Sequence, residues 1–145
     1  MITLKEMKTP SELKQFVKYP FLLYKDEPNW VPPIINDELE SMDPAKNPVF
    51  KNAEAHYFIA YTNGQPVGRI CAIINHIEVK EQGKPKMRFG WFDAIDDIKV
   101  TETLLNKVKE IGLSHNLEYM EGPVGFSNME KAGLLVEGCK WSYKL

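Results

Sequence analysis

Apolar residues recur with two periods along this chain, and the change from one period to the other marks out its elements. Residues 2–8, ITLKEMK, alternate apolar and polar, as a strand with one buried face does. Thr9 as cap, Pro10 at the first helical position and Glu12 three residues past the cap then predict a helix start, with Leu13, Phe16 and Val17 on one face. Pro20 predicts an interruption, followed by one more helical turn and an extended loop through PNWVPP. Residues 38–52, rich in Pro, Asn and Asp, read as an irregular covering loop.

The segments AEAHYFIAY and PVGRICAIIN flank Asn63-Gly64, a pair that tolerates positive φ and predicts a tight antiparallel hairpin. MRFGWFDAI, aromatic and apolar, suits a central strand. After it Val100, Leu104, Val108 and Ile111 form one helical stripe with Leu105 beside it, closed by Asn116. LEYMEGPV reads as a further strand that leads through Gly122-Pro123 into GFSNMEKAGLLVEG. There Ser127 and Glu130 form a capping-box pattern, and Gly138 ends a short helix. The predicted order is strand, helix, long loop, hairpin, strand, helix, strand, short helix, which is an α/β layer arrangement.

Composition narrows the class. The chain has 145 residues, 43% of them hydrophobic, enough for one domain spanning 1–145 with a buried core. Eighteen Lys and Arg against twenty Asp and Glu, with no basic block, give no electrostatic hold on nucleic acid or an anionic membrane. The first ten residues lack a signal peptide's apolar core and no run is long enough to span a membrane, so a cytoplasmic protein is expected. Cys71 and Cys139 have no metal-ligand spacing and read as reduced thiols, and no metal is expected.

Few side chains point to chemistry by themselves. Asp93, Asp96 and Asp97 crowd a strand-to-helix turn, where one of them capping the helix and the others meeting solvent is the expected arrangement. Arg69 shares a strand face with Val67, Cys71 and Ile73, which predicts an ion pair with Glu54 or Asp93. His56, His76 and His115 are scattered, and only His76, beside Asn75 at a strand end, is placed to serve as a general base for an amine. Cys139 has no neighbouring base. Trp30 within PNWVPP reads as part of a lid, and Phe89, Trp91 and Phe92 as core.

The pieces YKDEPNWVPP, NPVF, AYTNGQPVGRICAIIN, GWFDAIDD and GPVGFSNMEKAGLLVEG together resemble the GNAT-like acyl-CoA N-acyltransferase superfamily, closest to bacterial members of uncharacterised activity. The resemblance implies a mixed, mostly antiparallel central sheet with helices on both faces, its middle strands splayed near WFDAI and YMEG. It implies that the backbone of Phe92, Asp93 and Ala94 holds the acyl group of a coenzyme A thioester. His76 or Glu121 would then be the base toward a small amine or a protein amine.

Three features depart from that family. Its glycine-rich diphosphate turn corresponds here to DAIDDIKVTE, which has no glycine. Asp96 or Asp97 would already satisfy the helix N-terminus by ~0.3 to 1 kcal/mol and would repel a diphosphate within ~4 Å by about 1 kcal/mol per charge pair in water. The family's tyrosine acid, in the helix after the fifth strand, corresponds to Leu134 and Leu135. Its closing hairpin is reduced to CKWSYKL, where Trp141 and Tyr143 alternate as a short strand would, so a homodimer paired through an open sheet edge is expected. Two readings follow: an N-acyltransferase-like domain that has lost activity and serves as a non-catalytic protein- or ligand-binding module, and an active acyl-CoA-dependent N-acetyltransferase.

Overall fold

A computed structural model describes residues 1–127 of the chain. Strand β1 (Ile2–Met7) leads into helix α1 (Pro10–Leu23) and a short helix α2 (Ile35–Ser41). The hairpin β2 (Ala53–Thr62) and β3 (Gln65–Asn75) follows, then β4 (Lys86–Ala94), helix α3 (Ile98–Ser114) and β5 (Tyr119–Glu121). The sheet is five-stranded in the order β1-β2-β3-β4-β5, antiparallel except for the parallel β4–β5 pair.

Alternation along the strands sorts the core into two layers. One, with Phe58, Ile70, Ala72, Ile74, Met87 and Phe92, packs under the Val100, Leu104 and Val108 stripe of α3. The other, with Tyr57, Ile59, Cys71, Ile73 and Trp91, packs under Phe16 and Val17 of α1 and Met42 beside α2. Helices thus cover both faces, as expected. Asn63 and Gly64 take φ of 52° and 78°, forming the turn that the Asn-Gly pair predicts.

Two local expectations are corrected. Pro20 does not interrupt α1, which runs through it to Leu23. A proline at position 20 cannot donate to the Phe16 carbonyl, and that orphaned oxygen accepts instead from Arg69 Nη1 at 2.9 Å. The supposed covering loop also contains regular structure, namely α2 and a 3-10 turn at Pro48–Lys51. Ile35, Leu39 and Met42, spaced by four and three, bury one side of α2 against the α1 layer and so fold a stretch that its polar neighbours disguise. The predicted capping box of Ser127 with Glu130, the helix to Gly138, Cys139 and the strand at Trp141 lie outside the described residues.

Strands β4 and β5 approach closely and then part. Lys86 to Arg88 pair with Tyr119 to Glu121, and Val124 N donates to Phe89 O at 2.9 Å. Glycines permit this contact: a β-carbon on Gly90 would strike the Val124 carbonyl oxygen, and one on Gly122 the Phe89 carbonyl oxygen. Gly90→Ala and Gly122→Ala are each expected to cost about 1–3 kcal/mol by overpacking, measured by urea unfolding. An unchanged midpoint in both variants would contradict the close approach.

Candidate active site

Beyond Phe89 the two strands separate, because β4 changes register there. Cys71 faces Gly90 and Arg69 faces Asp93, so Trp91 and Phe92 together stand opposite the single residue Ile70. Trp91 takes up the extra length with a φ of 44°. Among the described residues no backbone bond joins Trp91–Ala94 to β5, which leaves one flank of these residues without a strand partner. This is the splay expected near WFDAI and YMEG, and it contains Phe92, Asp93 and Ala94.

On the α1–α2 side of the splay the polar groups are tightly paired. Arg69 Nε and Nη2 lie 2.9 and 2.8 Å from Asp93 Oδ2, so the expected ion pair forms with Asp93 and not with Glu54. The Tyr24 hydroxyl donates to Asp93 Oδ1 at 2.7 Å, and burial, then this bond, pushes its pKa up. Asp93 is therefore the paired member of the three acids. Asp97 caps α3 by accepting from Lys99 N at 2.9 Å, while Asp96 is exposed. The Asp97 carbonyl also accepts from Val100 N and Thr101 N, so the Lys99, Val100 and Thr101 donors at the start of α3 are already engaged. Trp30 packs on Phe21 and Tyr24 with ring centroids 5.2 and 5.4 Å apart, closing the end of α1.

Glu121 is the last β5 residue paired with β4, opposite Arg88, and so sits where the strands begin to part. Its carboxylate lies 2.6 Å from Lys86 Nζ, and that bond holds its pKa below the usual glutamate value. Lys86 and Arg88 are buried with Glu78, which pairs with both cations. His76 is placed differently. In the β3–β4 ladder Ala94 faces Gly68, and His76 lies eight residues further along, roughly 25 Å at ~3.3 Å per residue. By the same ladder Glu121, opposite Arg88 and so level with Ile73, marks the last paired residue of β5, and His76 lies three residues past that level on the side away from Ala94.

The histidines are not scattered. Glu54 lies 3.3 Å from His56 Nε2, 3.5 Å from His76 Nε2 and 3.2 Å from His115 Nε2, so all three histidines share one carboxylate. Among the described residues no group of three or more potential ligands has the geometry to hold a metal ion. Sequence spacing could not reveal this cluster, because its members come from β2, the end of β3 and the end of α3. It missed Glu38 for a similar reason. That residue is buried on α2, its Oε2 accepting from Trp91 Nε1 at 2.7 Å, and the one signal for it was the core-facing spacing of Ile35, Leu39 and Met42. Cys71 is a buried free thiol whose pKa burial pushes up, which makes it inert as a nucleophile.

No family model matches the chain. Several solved acetyltransferases superpose on it. A predicted acetyltransferase of Clostridium acetobutylicum solved with acetyl-CoA does so with a TM-score of 0.58 at 12% identity, covering 83% of this chain and 79% of that one. The chain has the GNAT-like acyl-CoA N-acyltransferase fold. By sequence it is similar to the bacterial ceramide synthase of Caulobacter vibrioides, 34% identical over 133 residues, which is 91% of this chain and 35% of that protein. It is also similar to Protein YghO of Escherichia coli, 35% identical over 128 residues, or 88% and 33%. The chain spans about a third of the length of these curated relatives. No helix among the described residues is long and apolar enough to cross a membrane.

Three outcomes are expected from this geometry. Arg69→Met strands the Asp93 carboxylate and lowers unfolding free energy by about 3–5 kcal/mol; a loss under about 1 kcal/mol would show that the pair carries little. Among the described residues the Tyr57 hydroxyl is buried without a hydrogen-bond partner, so Tyr57→Phe removes an uncompensated desolvation and raises stability by about 1 kcal/mol, a sign that thermal melts read directly. Glu121 has a lowered folded pKa, so its contribution is present above the ordinary value of 4.5 and is lost as pH falls below it. The stability gap between the parent and Glu121→Gln should therefore shrink in urea titrations as pH drops from about 5 toward 3, and a gap independent of pH would contradict the pairing.

Proposed function

We propose that this chain is the thioester-binding part of an N-acyltransferase, one that moves an acyl group from coenzyme A to an amine. The observation that carries the reading is the unpaired flank of Trp91–Ala94 beside the β4 bulge. Backbone donors fixed in a cleft can hold a thioester carbonyl and stabilise the oxygen's negative charge as the amine nitrogen attacks. The new C–N bond forms as the C–S bond breaks, and the proton lost by nitrogen ends on the departing thiolate. Glu121, the last β5 residue paired with β4 and ionised beside Lys86, is the base we assign to the amine.

The relatives support the same chemistry. A ceramide is the amide of a fatty acyl group with a long-chain amino alcohol, so a ceramide synthase at 34% identity fits an amine acceptor and an acyl donor. The likeness to acetyltransferases supports coenzyme A as carrier.

A second reading is favoured by α3, whose first turn is engaged by Asp97 where family members bind the diphosphate. On that reading the domain is a non-catalytic module that binds protein or a small ligand and pairs with a second copy through an unpaired sheet edge. A thermal melt in acetyl-CoA and in palmitoyl-CoA separates the two. Ligand at 100 times Kd adds about 2.7 kcal/mol and raises the melting temperature by several degrees if the chain binds the thioester. No shift at millimolar acetyl-CoA or with palmitoyl-CoA, together with a concentration-dependent dimer in sedimentation, would favour the module.

A further inference from the structure

Trp91 has a φ of 44°, in a backbone region that bulky side chains rarely occupy unless their surroundings hold them there. Its indole is held from two sides. Phe126 packs against the ring at a centroid distance of 5.4 Å, and Nε1 donates to Glu38 Oε2 at 2.7 Å. Glu38 is only 7% exposed. A carboxylate withdrawn from water is more costly than an apolar side chain of the same size, so packing alone gives no reason for an acid at this position. Helix α2, which carries it, is itself anchored in the core by Ile35, Leu39 and Met42.

We infer that Glu38 is a positioning residue: through the Trp91 indole it holds the β4 bulge in place and so sets the backbone of Phe92 to Ala94 in the geometry that receives the thioester carbonyl. This inference rests on the acyl-transfer reading above. It makes α2 part of the donor site, because a helix on the α1–α2 face controls the strand that faces the acyl group. The bond joins residues 53 positions apart, so α2 and β4 are tied to one another.

The test uses the 145-residue chain and two measurements, titration calorimetry with acetyl-CoA and with coenzyme A, and amide chemical shifts of Trp91 and Phe92. One well-made hydrogen bond to the acyl carbonyl makes acetyl-CoA bind about tenfold tighter than coenzyme A. Glu38→Ala and Trp91→Phe are expected to abolish that preference, leave coenzyme A affinity unchanged and move both amide shifts. Glu38→Gln keeps an oxygen that accepts from the indole and should retain the preference and the shifts. The double variant should be no worse than either single one. If Glu38→Ala fails to fold, Trp91→Phe and Glu38→Gln carry the comparison.

Amide shifts that do not move in Glu38→Ala or Trp91→Phe would overturn the inference, whatever the ligand does. So would Glu38→Gln losing the acyl preference with its shifts unchanged, since the carboxylate would then act by its charge. A parent chain that binds neither ligand while its variants move the shifts would overturn the acyl-transfer reading, and with it the role given to Glu38.

Discussion

Two β4 residues stand opposite one residue of β3, and that mismatch decides where β4 can pair on its other side. Before it, Gly90 and Gly122 allow β4 and β5 to touch through their backbones. After it, Trp91–Ala94 have no described partner on the β5 flank. A sheet interior seldom leaves backbone groups without partners, because a buried unpaired donor costs about 1–3 kcal/mol. Such a gap is tolerated where another group completes the bonding, and on the proposed acyl-transfer reading the thioester carbonyl is that group.

The α1–α2 face is fastened to the sheet by charge as well as by packing. Arg69 binds the Phe16 carbonyl that Pro20 leaves vacant, lies over the Phe16 ring at 4.9 Å and pairs with Asp93, which in turn accepts from Tyr24. A proline in a helix is ordinarily a defect. In this chain it frees an acceptor that ties α1 to β3 and, through Asp93, to β4 beside the splay. Pro20 therefore helps to fasten α1 to the strand that carries the splay.

Long-period patterns were legible in the sequence and contacts between distant segments were not. Alternation identified β1, the Asn63-Gly64 pair the hairpin of β2 and β3, aromatic and apolar content β4, and the Val100, Leu104, Val108 stripe α3, because each signal is local. The acidic turn was legible too, since a cap needs only its own neighbours, and Asp97 fills that role. Helix α2 was hidden by prolines and acids on either side of it, its three core-facing residues being too few to stand out. The bulge at Trp91 depends on register, and the meeting of His56, His76 and His115 at Glu54 depends on where three elements end. Neither leaves a trace in spacing. Resemblance supplied what periodicity could not, the place of the splay, and the strand pairing agrees with it.

A crystal soaked with acetyl-CoA tests the account most directly. The account predicts the thioester carbonyl within hydrogen-bond distance of the backbone between Trp91 and Ala94, on the flank turned toward β5, with the diphosphate away from the amides that Asp97 engages. Density for the acyl group elsewhere on the molecule, with that flank untouched, would contradict it.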